Sequence, residues 1–465
     1  MIKLLTLATL LQLGTASASL VAVMDTGTDI SHKELSPKSW VNAKEKLGSL
    51  VDLDGSGLPG DVNGWDFTEN SAKVFNDKYN HLITDDVKKF YTIYAKYETK
   101  TITKDEFDWL KKAVEDKDFM NQANFIGGYA HGTHCGGIAT ANNSKAQVMS
   151  LKILPTVYTE NVSKNKPTKD EAKDPVQLEL DFSPGMTVEA FKQEIVNTAV
   201  SQIEEITPIH SYLNFHKVDV VNQSYGIGFA QAVGFIQSGF IDAVKREPTE
   251  DEMVDLVVTY FTTLLKNGPS MFKVAPNTLF IIAAGNDNSD NDLYPDYPAN
   301  IQADNKIVVA ATVGYSELAE FSNYGATKVD VAAPGVAIQS TGPAQSYLHM
   351  SGTSQAAPFV TNAISLAKDI NPALSARDIK SIIMKTVDVK SWLAGKVLSS
   401  GIVNKARVQR AAELSKSLNV EVAIAKAKLE VADVGTPKSF GKRLPGMKLN
   451  FKPIRPSLLV KLPTL

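Results

Sequence analysis

The sequence predicts an α/β fold: a doubly wound, mainly parallel sheet with helices on both faces, carrying helical and loop insertions. Three observations lead there. Short apolar runs rich in Val, Ile and Ala recur along the chain, helix-length spacers separate several of them, and most stop at a polar or Gly-containing turn. Strands covered on both faces read as continuous apolar runs, and alternating strand and helix signals imply parallel pairing through crossover helices. With 465 residues, 43% of them hydrophobic, the chain can bury a large core. A net charge of -3 gives no overall bias toward nucleic acid or anionic membrane. The single cysteine, Cys135, rules out an intramolecular disulfide and a multi-cysteine metal centre.

Lys3 precedes an apolar run over residues 4–13, and Ala16-Ser17-Ala18 supplies small residues at a cleavage position. Residues 1–18 therefore read as a secretory signal, the alternative being a buried core segment. Removal after Ala18 would release a soluble protein into the periplasm or medium. No other stretch approaches the ~20 apolar residues that a membrane span needs. The run 20–24 (LVAVM) is the first strand and ends at Asp25-Thr26-Gly27. Ligands of open α/β sheets bind at such strand ends, so Asp25 is either a site residue or an ordinary turn residue. Asp52, Asp54 and Asp61 fall in a Gly-rich loop suited to a structural Ca²⁺, although the spacing does not complete an EF-hand. A plain solvated loop fits equally well.

Residues 68–124 mix Lys, Asp and Glu with aromatics at helical spacing. They read as an inserted helical hairpin, and the mixed charge signs argue against a nucleic-acid patch. His131 and His134 follow in the Gly-rich stretch 127–139. A zinc site would need further ligands at plausible spacing, which the other histidines do not supply. A strand at 148–154 leads into a second insertion, 155–215, with a polar loop and then helical spacing over 188–206. The strand 218–222 closes into Ser224-Tyr225-Gly226, and 229–265 reads as helix interrupted near Pro248. Strands follow at 279–284, 307–313 and 329–333, the first of them stopping at Gly285-Asn286.

Gly352-Thr353-Ser354 opens an apolar helix with Pro358 in its first turn. Gly352 suggests backbone angles that other residues avoid, and a serine at a helix N-terminus faces N–H groups that favour negative charge. The plain alternative is an N-cap. Surface helices are expected at 375–384 and 403–414. Residues 416–465 form a basic C-terminal extension with no further helix and strand alternation. Its composition suits a flexible or loosely docked tail in contact with an acidic partner or membrane surface.

Asp25, His131 and Ser354 together supply what acyl transfer needs. A serine hydroxyl is a weak nucleophile until an imidazole takes its proton, and the imidazole needs a carboxylate to fix its tautomer and stabilise its charge. The segments 21–27 (VAVMDTG), 131–137 (HGTHCGG) and 352–358 (GTSQAAP) resemble the Asp, His and Ser motifs of the subtilase (subtilisin-like serine protease) family, in that family's order. The run 283–286 (AAGN) is similar to the segment whose Asn completes the oxyanion hole.

The resemblance implies a peptidase domain over 19–415, with Ser354 as nucleophile, His131 as general base and then acid, and Asp25 as orienting carboxylate. Asn286 and the Ser354 backbone N–H would bind the oxyanion. Ser224, Tyr225 and Gly226 would pair with substrate backbone, and Ala283, Ala284 and Gly285 would line a pocket for the residue before the scissile bond. His134 would be a packed neighbour. Cys135 follows as in the proteinase K-like branch, where a thiol reagent could disturb His131. The implied protein is a secreted, monomeric serine endopeptidase acting on polypeptides, needing no cofactor for its chemistry and binding no nucleic acid. A non-catalytic binding protein on the same fold is the alternative. Family members usually carry tens of residues before the Asp strand, often a pro-domain, whereas removal after Ala18 would leave Ser19 directly ahead of it.

Overall fold

The computed structural model of the protein describes residues 18–158 and 185–435. The expected signal, apart from Ala18, and the basic tail from 436 lie outside the described residues, as does the loop 159–184. The strands are β1 Leu20–Asp25, β2 Gly64–Asp66, β3 Gln147–Lys152, β4 Val220–Gln223, β5 Leu279–Ala283, β6 Lys306–Val313, β7 Glu317–Leu318, β8 Val331–Pro334, β9 Ile338–Gly342, β10 Ser346–Met350, β11 Asp388–Val389 and β12 Gly401–Ile402. The helices are α1 Asp85–Glu98, α2 Lys104–Glu115, α3 Lys117–Tyr129, α4 His131–Ala139, α5 Val188–Phe215, α6 Phe229–Val244, α7 Glu250–Asn267, α8 Pro269–Lys273, α9 Thr353–Ile370, α10 Ala376–Lys385, α11 Lys405–Leu414 and α12 Val420–Glu430.

The main sheet runs β11-β12-β8-β6-β5-β4-β1-β3-β2 and is parallel from β12 to β2; β7 joins β6 antiparallel and β9 pairs with β10 in a separate hairpin. All six residues of β1 are buried, between β3 on one side and β4 on the other. The chain order reverses there, which opens a crevice at the carboxyl edge of the sheet. One layer of core packs α5 to α8 against the sheet, and another packs α9 to α12 against the opposite face. Helix α9 buries Ala356, Ala357, Val360, Ala363, Ile364 and Ala367, and it lies across β4, β5, β6 and β8. Its small side chains allow that close approach.

Three expectations change in detail. The insertion at 68–124 contains three helices rather than a hairpin, because the Asp116 side chain accepts from the N–H groups of Asp118 and Phe119 and starts α3 immediately after α2. These helices pack on the β9–β10 hairpin through Val87, Ile126, Leu348 and Met350. The segment after Ser417 is not without structure: Asn419 caps α12, whose Ala423, Ile424 and Ala427 are buried against α10 and α11. An alanine-rich stripe is enough to dock a helix but too weakly apolar to stand out in the sequence. Pro358, expected in the first turn, is the sixth residue of α9, where a backbone N–H would be needed.

The chain enters the sheet through a buried polar knot. Asp369 on α9 accepts from the Ser19 N–H at 2.7 Å, the Ser19 hydroxyl at 3.2 Å and Asn143 Nδ2 at 2.5 Å. Removing a partner from a buried network leaves donors unsatisfied, at roughly 1–3 kcal/mol each. Asp369→Ala should therefore lower unfolding stability by about 2–4 kcal/mol in denaturant melts, a loss well above that of an ordinary surface substitution.

Candidate active site

The site forms where the carboxyl ends of β1, β4 and β5 meet the N-terminus of α9. Asp25 ends β1 and His131 begins α4; both side chains are fully buried. His131 Nδ1–H donates to the Asp25 carboxylate, at 2.7 Å to Oδ1 and 2.9 Å to Oδ2. The Thr26 N–H also donates to Asp25 Oδ1, at 2.8 Å. A glycine at 132 is required for the approach, since a Cβ there would stand 2.4 Å from the Gly27 carbonyl oxygen and 3.1 Å from Asp25 Cβ. Burial disfavours a charged imidazole, but the Asp25 carboxylate outweighs it and holds the His131 pKa well above its ordinary value. The other ring nitrogen, Nε2, is buried with no protein partner among the described residues.

Ser354 is the second residue of α9 and is almost fully buried. Its hydroxyl donates to the Ser224 carbonyl at 3.2 Å rather than to His131. Pro358 cannot donate to the carbonyl four residues earlier, which belongs to Ser354. That carbonyl instead accepts from Ser224 Oγ at 3.0 Å and Cys135 Sγ at 3.3 Å, so β4 and α4 are both tied to the start of α9. Cys135 is fully buried, with burial pushing its thiol pKa up. The thiol acts as a strut between α4 and α9.

Asn286 follows β5. Its Oδ1 accepts from the Thr353 N–H at 2.8 Å and Thr353 Oγ1 at 3.0 Å, which turns the amide so that Nδ2 is the free donor. The expected reason for glycine at 352 is not met: with φ 167° and ψ 165° the residue is extended, as any residue can be. Space is the reason instead. A Cβ at Gly352 would crowd Gln355 Oε1 at 2.9 Å and stand in contact with the Ser354 backbone nitrogen at 3.5 Å and Asn286 Nδ2 at 3.7 Å, next to both donors.

His134 bridges the β9–β10 hairpin by donating from Nε2 to the carbonyls of Ile338, at 3.1 Å, and Leu348, at 3.0 Å. Burial brings its pKa down to about 3, so it is a neutral packing residue. Ser224, Tyr225, Gly226, Ala283 and Gly285 line an open cavity that also reaches Asn286, Thr353 and Ser354. Ala284 does not line it; alternation along the strand turns its side chain into the core. The cavity also contains Asp287 and Asp296, which the sequence reading passed over because a polar loop after a strand looks like a turn. Burial pushes the carboxyl pKa of each up, and for Asp296 the charge of Asp287 adds to the effect.

The Asp52, Asp54 and Asp61 loop, expected to suit a structural Ca²⁺, gathers oxygen and nitrogen ligand atoms in two overlapping groups. Asp52 and Asp54 cluster with Glu45, and Asp54 and Asp61 with His216, and N–H and O–H donors share their oxygens. Asp52 accepts from the Gly55 and Gly57 N–H groups, Asp54 from Asn42 Nδ2 and the Ser56 N–H, and Asp61 from Asn42 Nδ2 and the Tyr212 hydroxyl. No helix among the described residues is long and apolar enough to cross a membrane.

Residues 16–416 match the model of the subtilase family. Over 126 residues the chain is 37% identical to Subtilisin BL and to Subtilisin Savinase of Lederbergia lenta, 27% of this chain and 44% of each relative. Over 93 residues it is 40% identical to Subtilisin-like protease 2 of Plasmodium falciparum, 20% of this chain and 7% of that one. The chain thus spans less than half the length of the curated relatives it matches. With the family model covering most of its length, this chain belongs to the subtilase family.

Proposed function

We propose that the protein is a secreted serine endopeptidase that cleaves polypeptides through Asp25, His131 and Ser354. The observation that carries this reading is the buried Asp25–His131 pair with Nε2 left open, beside a serine at a helix N-terminus. For attack, the Ser354 hydroxyl gives up its hydrogen bond to the Ser224 carbonyl and donates to Nε2 instead. His131 then takes the hydroxyl proton as Oγ attacks the scissile carbonyl carbon. The tetrahedral oxyanion accepts from Asn286 Nδ2 and the Ser354 N–H, in the field of the α9 N-terminus. His131 passes its proton to the leaving amine, and water hydrolyses the acyl-enzyme with His131 as base again.

Secretion rests on the signal-like residues 1–18 and is supported at the start of the fold. Cleavage after Ala18 would turn the Ser19 N–H into an ammonium group facing Asp369 at 2.7 Å. Mass spectrometry of the secreted protein should find Ser19 as the first residue; a retained residue 1 would contradict processing there.

A serine-directed fluorophosphonate should label Ser354 in the wild type, and Ser354→Ala should neither be labelled nor hydrolyse peptides. Absence of label in the folded wild type would leave a non-catalytic binding protein as the better reading. Asn286→Leu should cut kcat by about 10²–10³ with modest change in KM. Gly352→Ala should cost about 10² in kcat/KM while the melting temperature stays near that of the wild type, because the methyl intrudes on the oxyanion position. A pKa held up by Asp25 keeps the ring protonated, and unable to accept the serine proton, to a higher pH. Activity should accordingly rise with pH through a limb above ~6.5. In Asp25→Asn the limb should move down and turnover fall about 10⁴-fold.

A further inference from the structure

The cavity beside Ser354 is lined by Ser354, Asn286 and two carboxylates. Asp296 is only 3% exposed, its Oδ1 has no partner among the described residues, and Asp287 shares the same cavity. Three glycines leave these oxygens uncovered. A Cβ at Gly226 would stand 2.9 Å from Asp296 Oδ1, one at Gly285 2.8 Å from Asp296 Oδ2, and one at Gly228 2.6 Å from Asp287 Oδ2.

No lysine or arginine among the described residues forms an ion pair with either carboxylate. The nearest candidate, Lys306, is buried and donates to the Ala299 carbonyl instead. A buried carboxylate without a hydrogen bond or counter-charge is costly, and proteins rarely keep one without a use.

We propose that this cavity selects a lysine or arginine side chain on the acyl side of the scissile bond, with Asp296 as its partner and Asp287 as a second carboxylate. The inference rests on the serine endopeptidase reading, and it supplies the opposite wall of the specificity pocket. When the backbone carbonyl of such a residue lies at Asn286 and Ser354, its side chain extends into the cavity, and the cationic head meets Asp296 Oδ1, which accepts no hydrogen bond from the described residues. Acidic side chains would be rejected by like charge, and aliphatic ones would bury Asp296 still unpaired.

Peptides differing only at that residue (Lys, Arg, Leu, Gln or Glu) and two phosphonate labels, one lysine-like and one leucine-like, test this on the purified protein. Lys or Arg should exceed Leu in kcat/KM by about 10–100-fold and Glu by more, because an unmatched buried polar group discriminates strongly. Asp296→Asn should reduce the Lys to Leu ratio about 100-fold. Asp287→Asn, at an exposed position, should reduce it less and guards against a folding defect in the first variant. Equal rates for Lys, Gln and Leu, or a ratio unchanged in both variants, would overturn the selection while leaving the endopeptidase reading intact. Labelling by neither phosphonate would overturn both.

Discussion

A carboxylate and an imidazole that water would ordinarily solvate lie together at zero exposure, and the rest of the structure is arranged around their contact. Burying either alone would cost several kcal/mol, so each makes the position of the other obligatory. Asp25 ends a strand that is buried along its whole length, between β3 and β4. His131 reaches it only because α4 starts against the β1 turn with glycine as its second residue. Packing of the sheet and placement of the pair are therefore one constraint. A shift of β1 by one residue would turn Asp25 to the other face.

The start of α9 is held by a second device. A proline inside a helix normally weakens it, yet here the freed Ser354 carbonyl receives hydrogen bonds from Ser224 and Cys135, on two other elements. Local helix stability is exchanged for a three-way junction that fixes Ser354 against β4 and α4. Thr353 completes the junction by orienting the Asn286 amide. The inserted helices add a further support, since Glu98 on α1 accepts from the hydroxyl of Ser351, directly before Gly352.

Much of this was legible in the sequence. The core strands and the helix after Ser354 could be read from unbroken apolar runs, and Asp25, His131, Ser354 and Asn286 from the resemblance of their segments to family motifs. The rest depends on long-range geometry that no local pattern carries. Asp296 precedes Tyr297-Pro298 in a polar loop, and only the folded chain brings it beside Gly226 and Gly285. Gly352 looked like a backbone device and proves to be a matter of space. Ala284 shares a run with Ala283 but faces the core, and α12 buries too narrow a stripe to announce itself. The β9–β10 hairpin was missed because its partner is the helical insertion and His134, not an apolar neighbour in sequence.

Nitrogen NMR of the His131 ring across pH tests the central pairing most directly. The structure predicts an Nδ1 proton held by Asp25, an unprotonated Nε2 in the neutral form, and titration above the ordinary imidazole value of ~6.5. An Nε2–H tautomer, or titration below that value, would contradict the buried carboxylate–imidazole contact on which the site depends.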